Sequence, residues 1–253
     1  MRVIPWQEVN RRCLPSSKLP LIVFAHLDGE IGTEYWHLLT ESEKGRAGRL
    51  KSPLVAERWV IARGILRLML GQVLQIAPKA LRFEKNRYQK PYLSYPVDSN
   101  LSFNLSHSGE ILLIALIEGG QIGVDVEQVS PDRNFSVIAP LVFSQGEQAL
   151  LSNSSNPLRD FYALWTAKEA ILKAVGCGFK FPPRHLDLTI KNHVVTLLNL
   201  PPELSKDGVC RLIPFQPVNG YAAAVALLND PLVGRQATWI TSTATKQQAS
   251  LLK

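Results

Sequence analysis

The sequence predicts an α+β fold made of two similar halves in one chain. Three observations carry that expectation. Each half runs in one order: a helix, a short strand, further strands, a turn, then a strand of small apolar residues. The closing strands, SHSGEILLIALI and VNGYAAAVALL (Val218 to Leu228), occupy matching places in that order. A chain of 253 residues with 46% hydrophobic content can also bury a sizeable core, as one large domain or two smaller ones.

In chain order, LIVFAHLD (Leu21 to Asp28) reads as a strand. A helix follows from about Leu54, with Trp59, Ile61, Ile65, Leu66, Leu68, Met69 and Val73 at mostly helical spacing and Gly71 weakening its end. LRFEKN is a short strand, KPYLSYPVDSN is turn-rich, and LSFNLSHSG leads into the strand ILLIALI. A Gly119-Gly120 turn then leads into IGVDVE, which predicts a hairpin. SNSSNP (Ser152 to Pro157) is a surface loop, and a helix runs from roughly Leu158 to Val175. Gly176-Cys177-Gly178 caps it. LDLTI, VVTLLNL, CRLIPFQPV and VNGYAAAVALL are strands. The expected division is residues 1–118 and 119–230, with a polar tail over 231–253 that frays.

Charged residues make up 19% of the chain and aromatic residues are plentiful, so it is folded rather than disordered. The net charge is +7, and residues 41–90 hold twelve Lys or Arg against four acids. An anionic partner (nucleic acid, a phosphorylated cofactor or an acidic protein) accounts for this excess, and so does a merely solubilising surface. Cys13, Cys177 and Cys210 lie far apart, which argues against a zinc site or a disulfide framework. The N-terminus has no signal-peptide core and ILLIALI is too short to span a membrane, so a cytoplasmic protein is expected.

Two segments stand out chemically. In GVDVEQ, strand alternation puts Val124 and Val126 on one face and the carboxylates of Asp125 and Glu127 on the other. Their repulsion is costly unless water or a cation lies between them. In FYALWTAKEAILKAVGCG, the apolar stripe of Phe161, Leu164, Trp165, Ile171, Leu172 and Val175 also contains Lys168, which then needs a counter-charge or a route to water. Glu169 and Lys173 are four apart on the same helix, and from the helix alone an exposed ion pair is favoured. Taken with the strand, Asp125, Glu127 and Glu169 form a hard-oxygen set suited to Mg²⁺.

A third cluster, Ser106-His107-Ser108, offers donors that suit a phosphate. A Ser-His-Asp hydrolase is disfavoured, because adjacent strand residues point to opposite faces and there is no G-x-S-x-G elbow. P-loop and Rossmann glycine patterns are also missing. Nothing near Cys177 would lower its pKa, so a nucleophilic role is disfavoured.

These residues resemble the Sfp-type 4'-phosphopantetheinyl transferases. GVDVE is similar to that family's G-[IV]-D-[IVL]-E segment and WTAKEAILKAVGCG to its W-[ST]-x-K-E-[AS]-x-x-K-x-x-G-x-G segment. FNLSHSG, KPYL (Lys90 to Leu93) and FSQGE (Phe143 to Glu147) resemble three more, in the same order, across roughly residues 40–230. The resemblance implies a pseudo-dimer of two α/β halves with the active site between them. It also implies transfer of phosphopantetheine from coenzyme A (CoA) to a serine of an apo carrier protein, with release of 3',5'-ADP.

Carried over by position, Asp125, Glu127 and Glu169 would hold Mg²⁺ on the CoA pyrophosphate. Ser106, His107, Lys90, Lys173 and Arg58 would meet CoA phosphates, and Lys44, Arg46 and Arg49 fall where the family has basic residues. Gln89 replaces a glycine often found before the K-P pair. Glu169 is assigned as the base for the serine, with Glu147 second, and Lys173 protonates or neutralises the leaving phosphate. The expected partner is an acidic carrier of the fatty-acid, polyketide or nonribosomal-peptide type, with no nucleic acid and no membrane, and a monomer is implied. The rivals are a nucleic-acid-binding protein, another Mg²⁺ phosphotransferase or hydrolase, and a catalytically silent family member.

Overall fold

The computed structural model describes residues 1–9, 19–97, 99–132, 135–191, 193–204 and 210–228. Cys13 and the tail over 231–253 lie outside the described residues.

The chain begins with β1 (Arg2–Pro5) and β2 (Leu21–His26), then α1 (Gly32–Trp36), α2 (Glu41–Ala47) and α3 (Pro53–Leu74). The hairpin of β3 (Arg82–Lys85) and β4 (Pro91–Tyr95) precedes β5 (Leu101–Ser108), β6 (Ile111–Glu118) and β7 (Gln121–Gln128). Next come α4 (Phe135–Val142), α5 (Gln145–Ser152) and α6 (Pro157–Val175). The hairpin of β8 (Asp187–Lys191) and β9 (Val194–Asn199) leads to β10 (Cys210–Phe215) and β11 (Tyr221–Leu228).

The two long helices start and stop for local reasons. Ser52 caps α3 by accepting from the Val55 amide, Pro53 opens it, and Gln75 closes it at φ 58°. Asn156 and Pro157 do the same for α6, and Gly176, at φ 78°, ends it as the sequence predicts. Pro91 begins β4, where a missing N–H costs little on an edge strand. A strand therefore occupies part of a stretch expected to be turns.

Besides the two hairpins, the described strands form two larger sheets, ordered β1-β2-β6-β5 and β10-β11-β7. The run β2, α3, β3-β4, β5, β6 is matched by β7, α6, β8-β9, β10, β11. In each, the strand of small apolar residues (β6 or β11) lies at the centre. The expected β6–β7 hairpin does not form. Both edges of β6 are already paired, with β2 and β5, so the chain turns at Gly119, at φ 73°, and β7 pairs with β11 in the other sheet.

The continuous apolar run of β6 follows from burial on both faces. Leu112, Ile114 and Leu116 pack under α3 with Ile65, Leu66 and Met69. Leu113, Ala115 and Ile117 face the second sheet, where they meet Val124, Val126 and Val225. The other face of β7 receives α6 so closely that a Cβ on Gly123 would lie 2.0 Å from the Ala170 carbonyl oxygen. That contact sets how far α6 stands from Asp125, two residues further on.

Gly123→Ala should therefore cost about 3 kcal/mol of stability, measured by denaturant unfolding. A change below about 0.5 kcal/mol would contradict the packing.

Candidate active site between the halves

Strand β5 is the edge of the first sheet and β7 an edge of the second. They are joined by side chains rather than by a backbone ladder. Asn104, Ser106 and Ser108 alternate along β5 and so share a face. The Val124 amide donates to Asn104 Oδ1 (2.9 Å), the Val126 amide to Ser106 Oγ (3.4 Å) and the Gln128 amide to Ser108 Oγ (3.1 Å). The two serines donate in turn to the acids of β7: Ser106 to Asp125 Oδ1 (2.8 Å) and Ser108 to Glu127 Oε2 (2.9 Å). The sequence reading missed Asn104 and the stitching role of Ser108. The period-two run of small polar residues in FNLSHS was the available signal.

Helix α6 brings the remaining charges. Lys173 Nζ donates to Asp125 Oδ1 at 2.6 Å and to Ser106 Oγ at 2.9 Å. It pairs across to the strand rather than along its own helix to Glu169. Burial, and then the negative charges of Asp125 and Glu127, push Glu169 up to about 7, against the pull of Lys173. Asp125 is buried, and its Oδ2 has no hydrogen-bond partner.

Among the described residues, no three His, Cys, Asp or Glu side chains are grouped closely enough to enclose a metal. The donors nevertheless fit a hard cation: a buried carboxylate oxygen without a partner, a second carboxylate two residues along, and a third whose pKa is raised by burial and then by the other two.

His107 is solvent-exposed while Ser106 is buried, as strand alternation requires. The protein packed around its ring, then the charges of Lys173 and Arg58, lower its pKa. Arg58, half-buried on α3, is thus within electrostatic reach of the cleft. Lys44 pairs with Glu41 at 2.8 Å, and the Arg46 guanidinium lies over the Trp59 ring, 5.5 Å from its centroid. Lys90 is engaged elsewhere: its Nζ donates to the carbonyls of Ile122 and Ala174. Arg63 and Arg67, counted in the basic stretch, turn inward to Glu43.

Glu147 requires a correction as second candidate base. It lies in the interior, 1% exposed, and both of its oxygens are occupied. Oε2 accepts from the Ser144 amide (2.8 Å) and from Lys168 Nζ (2.6 Å), and Oε1 accepts from the Leu188 amide (3.0 Å). Lys168, the unexpected lysine of the apolar stripe, also donates to the carbonyls of Val142, Pro183 and Leu186. The buried pair ties α5 and the chain before β8 to α6, next to Glu169. The S-x-x-E pattern of Ser144 and Glu147 is a capping box, a structural signal already present in the sequence.

Residues 121–226 match the 4'-phosphopantetheinyl transferase superfamily, and residues 33–118 match the N-terminal part of a 4'-phosphopantetheinyl transferase. The chain is 31% identical over 168 residues to the 4'-phosphopantetheinyl transferase gsp of Aneurinibacillus migulanus, a match covering 64% of this chain and 68% of that protein. It is 36% identical over 143 residues to the 4'-phosphopantetheinyl transferase HetI of Nostoc sp., covering 55% and 60%. To slr0495 of Synechocystis sp. it is 34% identical over 161 residues, covering 63% and 65%. The chain belongs to the 4'-phosphopantetheinyl transferase family. It spans less than two thirds of the Nostoc and Synechocystis proteins.

Glu147→Gln leaves the buried Lys168 charge without its counter-ion and should cost about 3–5 kcal/mol of stability, read from urea denaturation. A slowed reaction at unchanged stability would instead restore Glu147 as a base.

Proposed function

We propose that this chain transfers the 4'-phosphopantetheine group of CoA to a serine of an acidic apo carrier protein and releases adenosine 3',5'-bisphosphate. The observation that carries the reading is the meeting of Asp125, Glu127, Glu169 and Lys173 where the halves join, with His107 and Arg58 beside them. Family membership supports the reaction class.

In the proposed reaction the carrier serine Oγ attacks the phosphorus next to the pantetheine arm. The P–O bond to the 3',5'-ADP portion breaks, and the serine proton passes to a base. Glu169 is assigned as that base: in the metal-free chain burial, then the charges of Asp125 and Glu127, raise its pKa to about 7, and a cation beside it would lower that value. The Lys173 ammonium, fixed by Asp125 and Ser106, offsets the charge that grows on the departing phosphate. Arg58 and His107 hold the 3'-phosphate. Mg²⁺, when bound by Asp125, Glu127 and Glu169, would withdraw charge from the pyrophosphate. The +7 net charge supports steering toward an acidic carrier of the fatty-acid, polyketide or nonribosomal-peptide type. No helix among the described residues is long and apolar enough to cross a membrane.

Intact-mass measurement of apo carriers after incubation with CoA and Mg²⁺ should show the gain of one phosphopantetheine. Asp125→Ala should lower the rate about a thousandfold with the fold retained. No gain across several carriers would overturn the reading, and full activity in the variant would overturn the site.

His107 has a lowered pKa in the free protein and is neutral at pH 7; an anionic phosphate beside it favours the charged form. CoA binding should therefore take up protons, seen calorimetrically as heats that vary with buffer ionisation enthalpy. His107→Gln should reduce the variation, and equal heats for the unmodified protein would contradict the assignment.

A further inference from the structure

We propose that the Lys90 side chain is a positioning group that locks α6 onto β7, and that its ammonium is not a ligand of the CoA phosphates. The inference deepens the proposed transferase reading and rests on it for its kinetic part.

The turn between β3 and β4 is built to aim this side chain. Asn86 Oδ1 accepts from the amides of Tyr88 (2.8 Å) and Lys90 (3.0 Å), and the Asn86 amide donates to the Lys90 carbonyl (2.9 Å). Gln89 takes the left-handed conformation, φ 71°, that a glycine would adopt more cheaply. The turn thus closes on itself and presents Lys90 to the other half of the chain.

There Lys90 Nζ donates to Ile122 O on β7 (3.1 Å) and to Ala174 O on α6 (2.8 Å). Beside it, Asn86 Nδ2 donates to Gly176 O (3.1 Å). The carbonyl of Ala174 is among the last four of the helix, which have no partner within it, so the ammonium satisfies it at the negative end of the helix dipole. The two acceptors flank Gly123, the residue against which α6 packs most closely. A Cβ on Gly176 would lie 2.8 Å from Lys90 Cδ and from Asn86 Nδ2, so the lysine stem fills this corner as well.

One ammonium therefore bridges strand and helix where they cross. Along β7 from Ile122, Asp125 is three residues away, about 10 Å, and Glu127 five, about 16 Å. Two of the three donors of Lys90 are committed to backbone carbonyls. Burial lowers its pKa to about 8, as the cost of keeping an ammonium in this corner requires. Helix α6 carries Glu169 and Lys173, and β7 carries Asp125. A loosened crossing shifts these groups against each other, and a displacement of about 1 Å can slow catalysis about a hundredfold.

The test compares Lys90→Met with the unmodified protein by transfer kinetics and by hydrogen exchange. Positioning predicts kcat lower by about tenfold to a hundredfold, KM for CoA changed less than about threefold, and faster exchange at the Gly176 and Cys177 amides, which close on Leu172 O. A KM raised about tenfold or more, with kcat and exchange unchanged, would make Lys90 a CoA ligand and overturn the proposal. If the unmodified protein transfers nothing to any carrier, the transferase reading fails by itself. Exchange then still decides: unchanged protection in the variant overturns the clamp, and lost protection supports it. If Lys90→Met does not fold, Asn86→Ala, which removes the side-chain hydrogen bonds to the Tyr88 and Lys90 amides and the contact to Gly176, should show the same exchange and kcat effects in weaker form. Wild-type behaviour in that variant would overturn the proposal.

Discussion

The N–H groups on the outer edge of β7 have no strand beside them, and three side chains of β5 take that place. Asn104, Ser106 and Ser108 accept from Val124, Val126 and Gln128, in step along the two strands. Buried amides must be paired somewhere, and this arrangement pairs them across the junction of the halves. A serine hydroxyl has one donor and two acceptor positions. Ser106 uses all three: it accepts from the Val126 amide and from Lys173, and donates to Asp125. The contact that joins the halves is therefore the same contact that orients the acid at their junction.

The two carboxylates of GVDVE are tolerated for related reasons. Each receives a serine hydroxyl, and Asp125 also holds Lys173. The charge still in excess is felt by Glu169, whose pKa rises to about 7 under burial and the field of its neighbours. A deeper pair, Lys168 with Glu147, fixes the helix beside Glu169. The halves thus meet through polar contacts at the site and through the apolar layer of Leu113, Val124 and Val225 behind it.

Periodicity and turn chemistry made the long elements legible. Apolar spacing placed the two long helices to within a residue of Pro53 and Pro157, where they begin, Gly176 closed α6, and the all-apolar run of β6 marked a strand, which proves to be buried on both faces. The duplicated order of elements was readable because it is a pattern along the chain. Pairing was not. The Gly119-Gly120 turn has hairpin chemistry, but the edges of β6 were taken by β2 and β5, which only the tertiary structure decides. The alternation of Asn104, Ser106 and Ser108 announced a polar face without naming its partner. Glu147 and Lys90 were given chemical roles through the resemblance of FSQGE and KPYL to family segments, yet both side chains lie against interior groups that no local pattern reveals.

The central claim is that a divalent cation belongs among Asp125, Glu127 and Glu169, where the halves join, with the pyrophosphate of CoA upon it. Anomalous scattering from Mn²⁺ in crystals grown with CoA measures this most directly. The account predicts one strong peak among the three carboxylates, with Lys173 withdrawn from Asp125 toward the phosphates. A cation held elsewhere, or a CoA pyrophosphate bound away from these carboxylates, would contradict it.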